Sequence, residues 1–191
     1  MDMFYKKLSL YLSENKNISK DDEELYEYAA KIVIHGIINI IVTILIGAFS
    51  GMLQECFYFF ISFFVLRKFT GGLHAKKYIV CLMCSMLLMI FALFLIDLFQ
   101  TNNYDNVFIS SIVFSTIVIV VLSPLDNINK TLTIREKIFY KIISSFISVF
   151  LSLIVISLVV KNYNIGYQLG VSLMCCSFLL FIGKMKMILR S

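Results

Sequence analysis

An all-α polytopic membrane protein is the fold class predicted for this chain. It is expected to have six transmembrane helices, the second one short, with both termini cytosolic and an amphipathic, interfacial helix at the N-terminus. Three observations predict it. Hydrophobic residues make up 60% of the 191-residue chain, charged residues only 15%, and the mean hydropathy is +0.89. A soluble domain is about half apolar and about 25% charged, so one small core cannot hide this excess and lipid must solvate much of it. The apolar stretches recur at lengths that suit a bilayer. The cations gather in alternate gaps between those stretches.

The N-terminal residues "MDMFYKKLSLYLSENKN" come first. Phe4, Leu8 and Leu12 repeat every four residues, Tyr5 and Tyr11 lie beside them, and Lys6 and Lys7 fall elsewhere. That spacing predicts an amphipathic helix on a membrane surface; an ordinary packed helix fits it equally well. An unbroken apolar run and a small-residue cleavage site are missing, so the segment does not read as a secretory signal.

A span needs roughly 20 apolar residues, within a range of about 17–25. Ile32–Leu53, Tyr78–Phe99, Val107–Ser123, Ile142–Val160 and Ile165–Gly183 qualify. Met52–Leu66 is shorter. Its apolar part of about 11–15 residues rises only about 16–22 Å as a helix, which suits a short span or a re-entrant segment. Charge decides between the two. If Met52–Leu66 crosses, 16 of the 17 Lys and Arg residues fall on one side and Lys161 falls on the other. If it does not cross, the basic segments divide between the two sides. Cations concentrate on the cytosolic side of membrane proteins, so six crossings are expected. Arg67 and Lys68 would then snorkel from the short helix toward the headgroups.

Local signals agree. Ser19 through Asp22 resembles a capping box, and Thr133 through Glu136 is a clearer one. Pro124, the only proline, ends the fourth span. Gly47-x-x-x-Gly51 and Gly166-x-x-x-Gly170 are small-residue packing motifs. They are expected to pack the first span on the sixth, or one of them on a second copy. The whole chain reads as one integral-membrane domain: residues 1–31 cytosolic or interfacial, 32–183 the bundle, 184–191 a cytosolic tail. The net charge of +5 does not point to nucleic acid, because the cations sit at the ends of apolar segments.

Inside the spans, His35, Asn39 and Thr43 share one face of the first helix. Buried polar groups of this kind line substrate paths or bond between helices. A transporter or sensor using that face is therefore one functional reading. Asp97 lies near the outer interface.

The chemistry concentrates in "RKFTGGLHAKKYIVC", Arg67 to Cys81. A basic cytosolic loop followed by an ordinary buried cysteine accounts for its cations. A cysteine–histidine dyad accounts for more. His74 and Cys81 are seven residues apart, about 10.5 Å along a continuous helix, too far for a direct bond. A dyad therefore requires the helix to begin after His74 and the Gly71-Gly72 turn to fold back. Arg67, Lys68, Lys76, Lys77 and the helix N-terminus all favour a thiolate at Cys81. Cys84 lies a turn deeper and reads as packing. Cys81-x-x-Cys84 is formally a redox motif, but no second cysteine pair stands in an outer loop to relay electrons. A zinc site would need further ligands at suitable spacing, and no metal or cofactor is expected. The five cysteines lie in or beside apolar segments, which argues against a disulfide framework, and the adjacent Cys175 and Cys176 read as apolar filler.

The same stretch resembles the signature of the accessory gene regulator B (AgrB) family. The shared features are an arginine, a glycine-rich turn, "GLHA", and a cysteine seven residues after the histidine. The length, the number of apolar spans and the basic loop opening at Pro124 match as well. The resemblance implies a membrane cysteine endopeptidase and peptide cyclase of Gram-positive quorum sensing. Its substrate would be an AgrD-type precursor peptide, which loses an acidic C-terminal tail and closes into a thiolactone or lactone. The catalytic cysteine maps onto Cys81, the histidine onto His74, and the motif arginine and second glycine onto Arg67 and Gly72, as substrate-positioning or structural residues. The basic loop holding Lys130, Arg135, Lys137 and Lys141 would steer the acidic tail. Asp126 is a candidate to orient the histidine. A homodimer suits both the family and the glycine motifs.

Overall fold

The computed structural model describes residues 20–71, 78–102, 104–125 and 133–189, with side chains from Val33 onward except that of Tyr78. Every described element is a helix: α1 (Lys20–Ser50), α2 (Leu53–Thr70), α3 (Tyr78–Asn102), α4 (Asp105–Leu122), α5 (Ile134–Val160) and α6 (Ile165–Ile188). The predicted N-terminal surface helix and Ser19 lie outside the described residues. Among the described residues, five helices are long and apolar enough to cross a membrane; α2 is not one of them. The chain divides into two units, Met1–Val42 and Thr43–Ser191, described separately below.

In the first unit, α1 carries His35 and Asn39. The Asn39 amide donates to the His35 carbonyl at 3.0 Å within the same helix. That bond occupies a polar group expected to face a partner or a path.

In the second unit α6 is the hub. It packs against α2, α3, α4 and α5, and 61% of its apolar stretch is buried, against 28% for α4 and α5. Small residues permit this. Gly166 sits so close to Leu158 and Val159 of α5 that a β-carbon would lie 2.8 Å from Val159, and one on Gly170 would lie 2.4 Å from Phe108 of α4. Along α5, Ser144, Ser148 and Ser152 are buried while Ile142, Phe146, Phe150 and Leu153 are exposed. Large apolar side chains of α5 are thus exposed and small ones are buried in the bundle, as helix packing within a membrane requires. Each of these serines donates to a carbonyl three residues earlier, at 2.8–3.1 Å, so burial leaves no hydroxyl proton unpaired.

The glycine motifs do not form one shared seam between the first and last helices. Gly47 packs on Cys56 and Leu53 of α2. Gly51, at φ +70°, makes the α1–α2 turn with open space around its β-carbon position. Gly166 and Gly170 serve α5 and α4 instead.

The short α2 is longer than its apolar run suggests. It takes in Arg67, Lys68 and Thr70, so its 18 residues rise about 27 Å. Its Cys56 meets Met89, midway along α3, at 3.8 Å. The Thr133 capping box forms as expected. The Thr133 hydroxyl accepts from the Glu136 N–H at 3.3 Å, and the Glu136 carboxylate accepts from the Thr133 N–H at 2.9 Å.

Two ends of this unit are defined by contacts. At one, the Gln100 amide reaches the Asn164 carbonyl at 3.4 Å, the Tyr167 hydroxyl donates to Asp105, and the rings of Phe99, Phe108 and Tyr167 pack in series, tilted by 57° and 53°. At the other, the ends of α2 and α4 meet α5 and the C-terminal half of α6. Because Phe108 is fully buried between two rings, it cannot yield to a larger neighbour. Gly170→Val is therefore expected to cost about 1–3 kcal/mol, visible as a lowered thermal midpoint in detergent. A midpoint equal to wild type would contradict the packing.

Candidate active site at the end of the bundle

The second end carries the motif. Arg67 and Lys68 occupy the last turn of α2, and the helix stops at Gly71, whose φ +70° and ψ −163° only glycine adopts freely. The Arg67 Nη1 donates to the Gly71 carbonyl at 3.0 Å. Gly71 also pairs with Leu125 as an isolated parallel bridge, in which the Leu125 N–H donates to the Thr70 carbonyl at 3.1 Å. This pairing joins the first basic loop to the chain leaving α4. A β-carbon on Gly71 would lie 2.6 Å from the Leu125 carbonyl oxygen.

Cys81 is the fourth residue of α3 and is half-buried. Of the predicted site residues, Arg67 and Cys81 lie among those described. Gly72 and His74 lie outside the described residues, as do Asp126, Lys76, Lys77 and Lys130. α3 runs from Tyr78, beyond His74 in the chain.

The remaining cysteines separate by burial. Cys84 is exposed, not packed, and Cys175 and Cys176 are buried. Cys176 is more than filler: its sulfur lies 3.3 Å from the Thr70 hydroxyl, a fully buried group beside the motif turn. Neither Thr70 nor Cys176 stands out in the sequence. A threonine flanking the glycine pair was the one available hint; nothing marked Cys176. The same end is secured by Ser123, whose hydroxyl meets that of Ser144 at 2.7 Å, and by Phe69 against Tyr140, 6.4 Å between rings. Among the described residues, no three His, Cys, Asp or Glu side chains converge as metal ligands would.

Fold and motif thus define a multi-pass helical membrane protein with a half-buried cysteine, Cys81, in the first turn of α3. The profile of the family described as Accessory gene regulator B matches residues 5–180, and the chain belongs to that family. Among similar proteins are an AgrB-like protein of Clostridium perfringens strain SM101, 26% identical over 69% of this chain and 64% of its own length, and one of Clostridium beijerinckii, 29% identical over 72% and 68%. A third, from Listeria monocytogenes EGD-e, is 29% identical over 47% of this chain and 46% of its own. The matched stretches thus span roughly half to two thirds of these relatives. No solved structure matches.

Ser144 donates to the Lys141 carbonyl at 3.1 Å, so the Ser123 proton is the one that joins the two hydroxyls. Ser144→Ala strands a buried donor and is expected to cost about 1–3 kcal/mol. Replacing both serines with alanine should cost less than the sum of the single changes, measured by thermal unfolding in detergent.

Proposed function

We propose that this protein is a membrane-embedded cysteine endopeptidase and peptide cyclase acting on an AgrD-type precursor. The observation that carries this reading is the half-buried Cys81 in the first turn of α3, at the end of the motif that opens with Arg67. Family membership over residues 5–180 supports it.

His74 takes the proton from Cys81, and the thiolate attacks the scissile carbonyl. The amide bond breaks, the tail leaves as an amine carrying the proton from His74, and the precursor remains as a thioester on Cys81. A cysteine or serine of the precursor then attacks that thioester and loses its proton to His74. Cys81 leaves, regains a proton, and the ring is released. Water must be kept from the thioester, since hydrolysis would give a linear product. Arg67 and Gly72 position substrate or loop. The cations Arg135, Lys137 and Lys141 attract the acidic tail.

In this reading the site lies on the cytosolic side, and all six helices cross. Exposed Phe57, Ile61 and Phe64 suit a lipid-facing α2, and its length of about 27 Å approaches a bilayer core of about 30 Å. With the native cysteines replaced, single cysteines at Gln54 and Asn162 are expected to react with an impermeant maleimide added outside intact cells, and one at Arg135 is not. Protection at Gln54 with reaction at Asn162 would make α2 re-entrant.

Co-expression with the precursor read from the neighbouring frame tests the chemistry. Cys81→Ala and His74→Ala should each abolish cleavage, while Cys84→Ala retains it. Cleavage by the Cys81→Ala protein would sink the nucleophile assignment.

A further inference from the structure

The bundle returns its buried hydroxyl protons to its own backbone. Ser144, Ser148 and Ser152 of α5 and Ser172 and Ser177 of α6 each donate to a carbonyl three residues earlier, at 2.6–3.1 Å. Gln168 breaks this pattern. Its side chain is buried, and its Oε1 accepts from no described residue; no other buried side-chain nitrogen or oxygen among the described residues is left so. An amide oxygen sealed from water without a donor is costly, and lipid supplies none. The backbone of this turn is already committed, since the Gly166 and Tyr167 N–H groups donate to the Tyr163 and Asn164 carbonyls at 3.0 and 3.1 Å.

Gln168 is the fourth residue of α6, about 5 Å along the axis from its start. It lies two residues from both Gly166 and Gly170, so about 160° around the helix from each. Those glycines face α5 and α4. Gln168 therefore points to the side of α6 that packs on α2 and α3. Ser172, one turn further and fully buried, shares that side. Its proton goes to the Leu169 carbonyl at 2.6 Å, so its oxygen meets a neighbour only as an acceptor. Residues four apart on a helix hold their β-carbons about 5–6 Å apart. A water about 2.8 Å from each of two oxygens bridges such a gap.

We propose that Gln168 and Ser172 hold a buried water molecule between α6 and the α2–α3 side of the bundle. The water donates one proton to the Gln168 Oε1 and the other to the Ser172 Oγ, which matches a pair of acceptors. Both acceptors are neutral, so a metal ion would bring a full charge among groups that carry none. Asp105, a carboxylate at this end, is taken by Tyr167, which points about 100° away from Gln168 around the helix. The site is a hydrated anchor in the hub helix, at the end opposite the Arg67 motif. It stands whether or not Cys81 is the nucleophile.

The test uses the isotope-labelled full-length protein in lipid vesicles and water-edited solid-state NMR. Polarisation from water should reach the Gln168 side-chain amide and the Ser172 β-carbon faster than the β-carbon of Val171, which is fully buried at the same depth. Gln168→Met keeps the volume and removes the acceptor. It should abolish the transfer to Ser172 and lower the thermal midpoint by about 2–6 °C, the scale of one lost hydrogen bond in a chain of this size. Ser172→Ala strands no donor and should lower the midpoint as well, and the double variant should lose less than the sum of the two. The water is refuted if Gln168 and Ser172 receive no more polarisation than Val171. It is refuted equally if Gln168→Met raises the midpoint, the sign expected when an unpaired acceptor is removed. A midpoint that falls when sodium is exchanged for choline at constant ionic strength makes the occupant a cation and overturns the assignment. If Gln168→Met does not accumulate in the membrane, the wild-type spectra and Ser172→Ala decide.

Discussion

Close approach to α6 is the constraint on which the second unit depends. In a bilayer, lipid tails solvate leucine and phenylalanine as well as a protein core does, so apolar burial does not drive helices together. Contact area and backbone proximity must do so. Gly166 and Gly170 let α5 and α4 reach the α6 backbone, and the buried serines of α5 keep the opposing surface thin. Larger side chains at Gly166 and Gly170 would push α5 and α4 away from their common neighbour. Many phenylalanines that would join the core of a soluble protein, among them Phe146 and Phe150, instead form the outer surface.

The same packing fixes what the bundle end can hold. α2 and α6 meet where Thr70 touches Cys176, and α4 ends where Leu125 pairs with Gly71. Arg67, Lys68, Arg135, Lys137 and Lys141 cluster at this end, while Asp97 and Asp105 stand toward the other. A half-buried cation is costly unless its donors are used. Arg67 uses one on the Gly71 carbonyl, which gives it a structural duty at the end of α2.

Much of this was legible in the sequence because membrane spans announce themselves by length alone. Five apolar runs became five long helices, Pro124 followed the end of α4, and Thr133 with Glu136 capped α5. Faces were harder to read. Period and hydrophobicity mark an apolar side, but in lipid that side looks outward, so the buried face of α5 is written in serines. The glycine motifs were visible as small residues but not their partners, since spacing within one helix says nothing about which neighbour approaches. The extent of α2 was misjudged for a related reason. Hydropathy stops at Leu66, while the backbone continues helical through two cations until Gly71 ends it.

The site was legible to the degree that its residues lie close in the chain. Arg67, the glycine pair and Cys81 stand within one motif, and spacing alone made them candidates. Cys176 is a hundred residues away, in a helix where cysteine serves as an ordinary small apolar residue, and only the crossing of α2 over α6 gives its sulfur a partner. Leu125 is similarly mute, because it contributes backbone atoms and any residue supplies those. Gly71 carries information at both levels. As one of two consecutive glycines it suggested a turn, but a turn would need only the torsion angle. The 2.6 Å approach of the Leu125 carbonyl to the space its β-carbon would fill is a second, independent demand, and it makes Gly71 a joint between two loops as well as a bend in one.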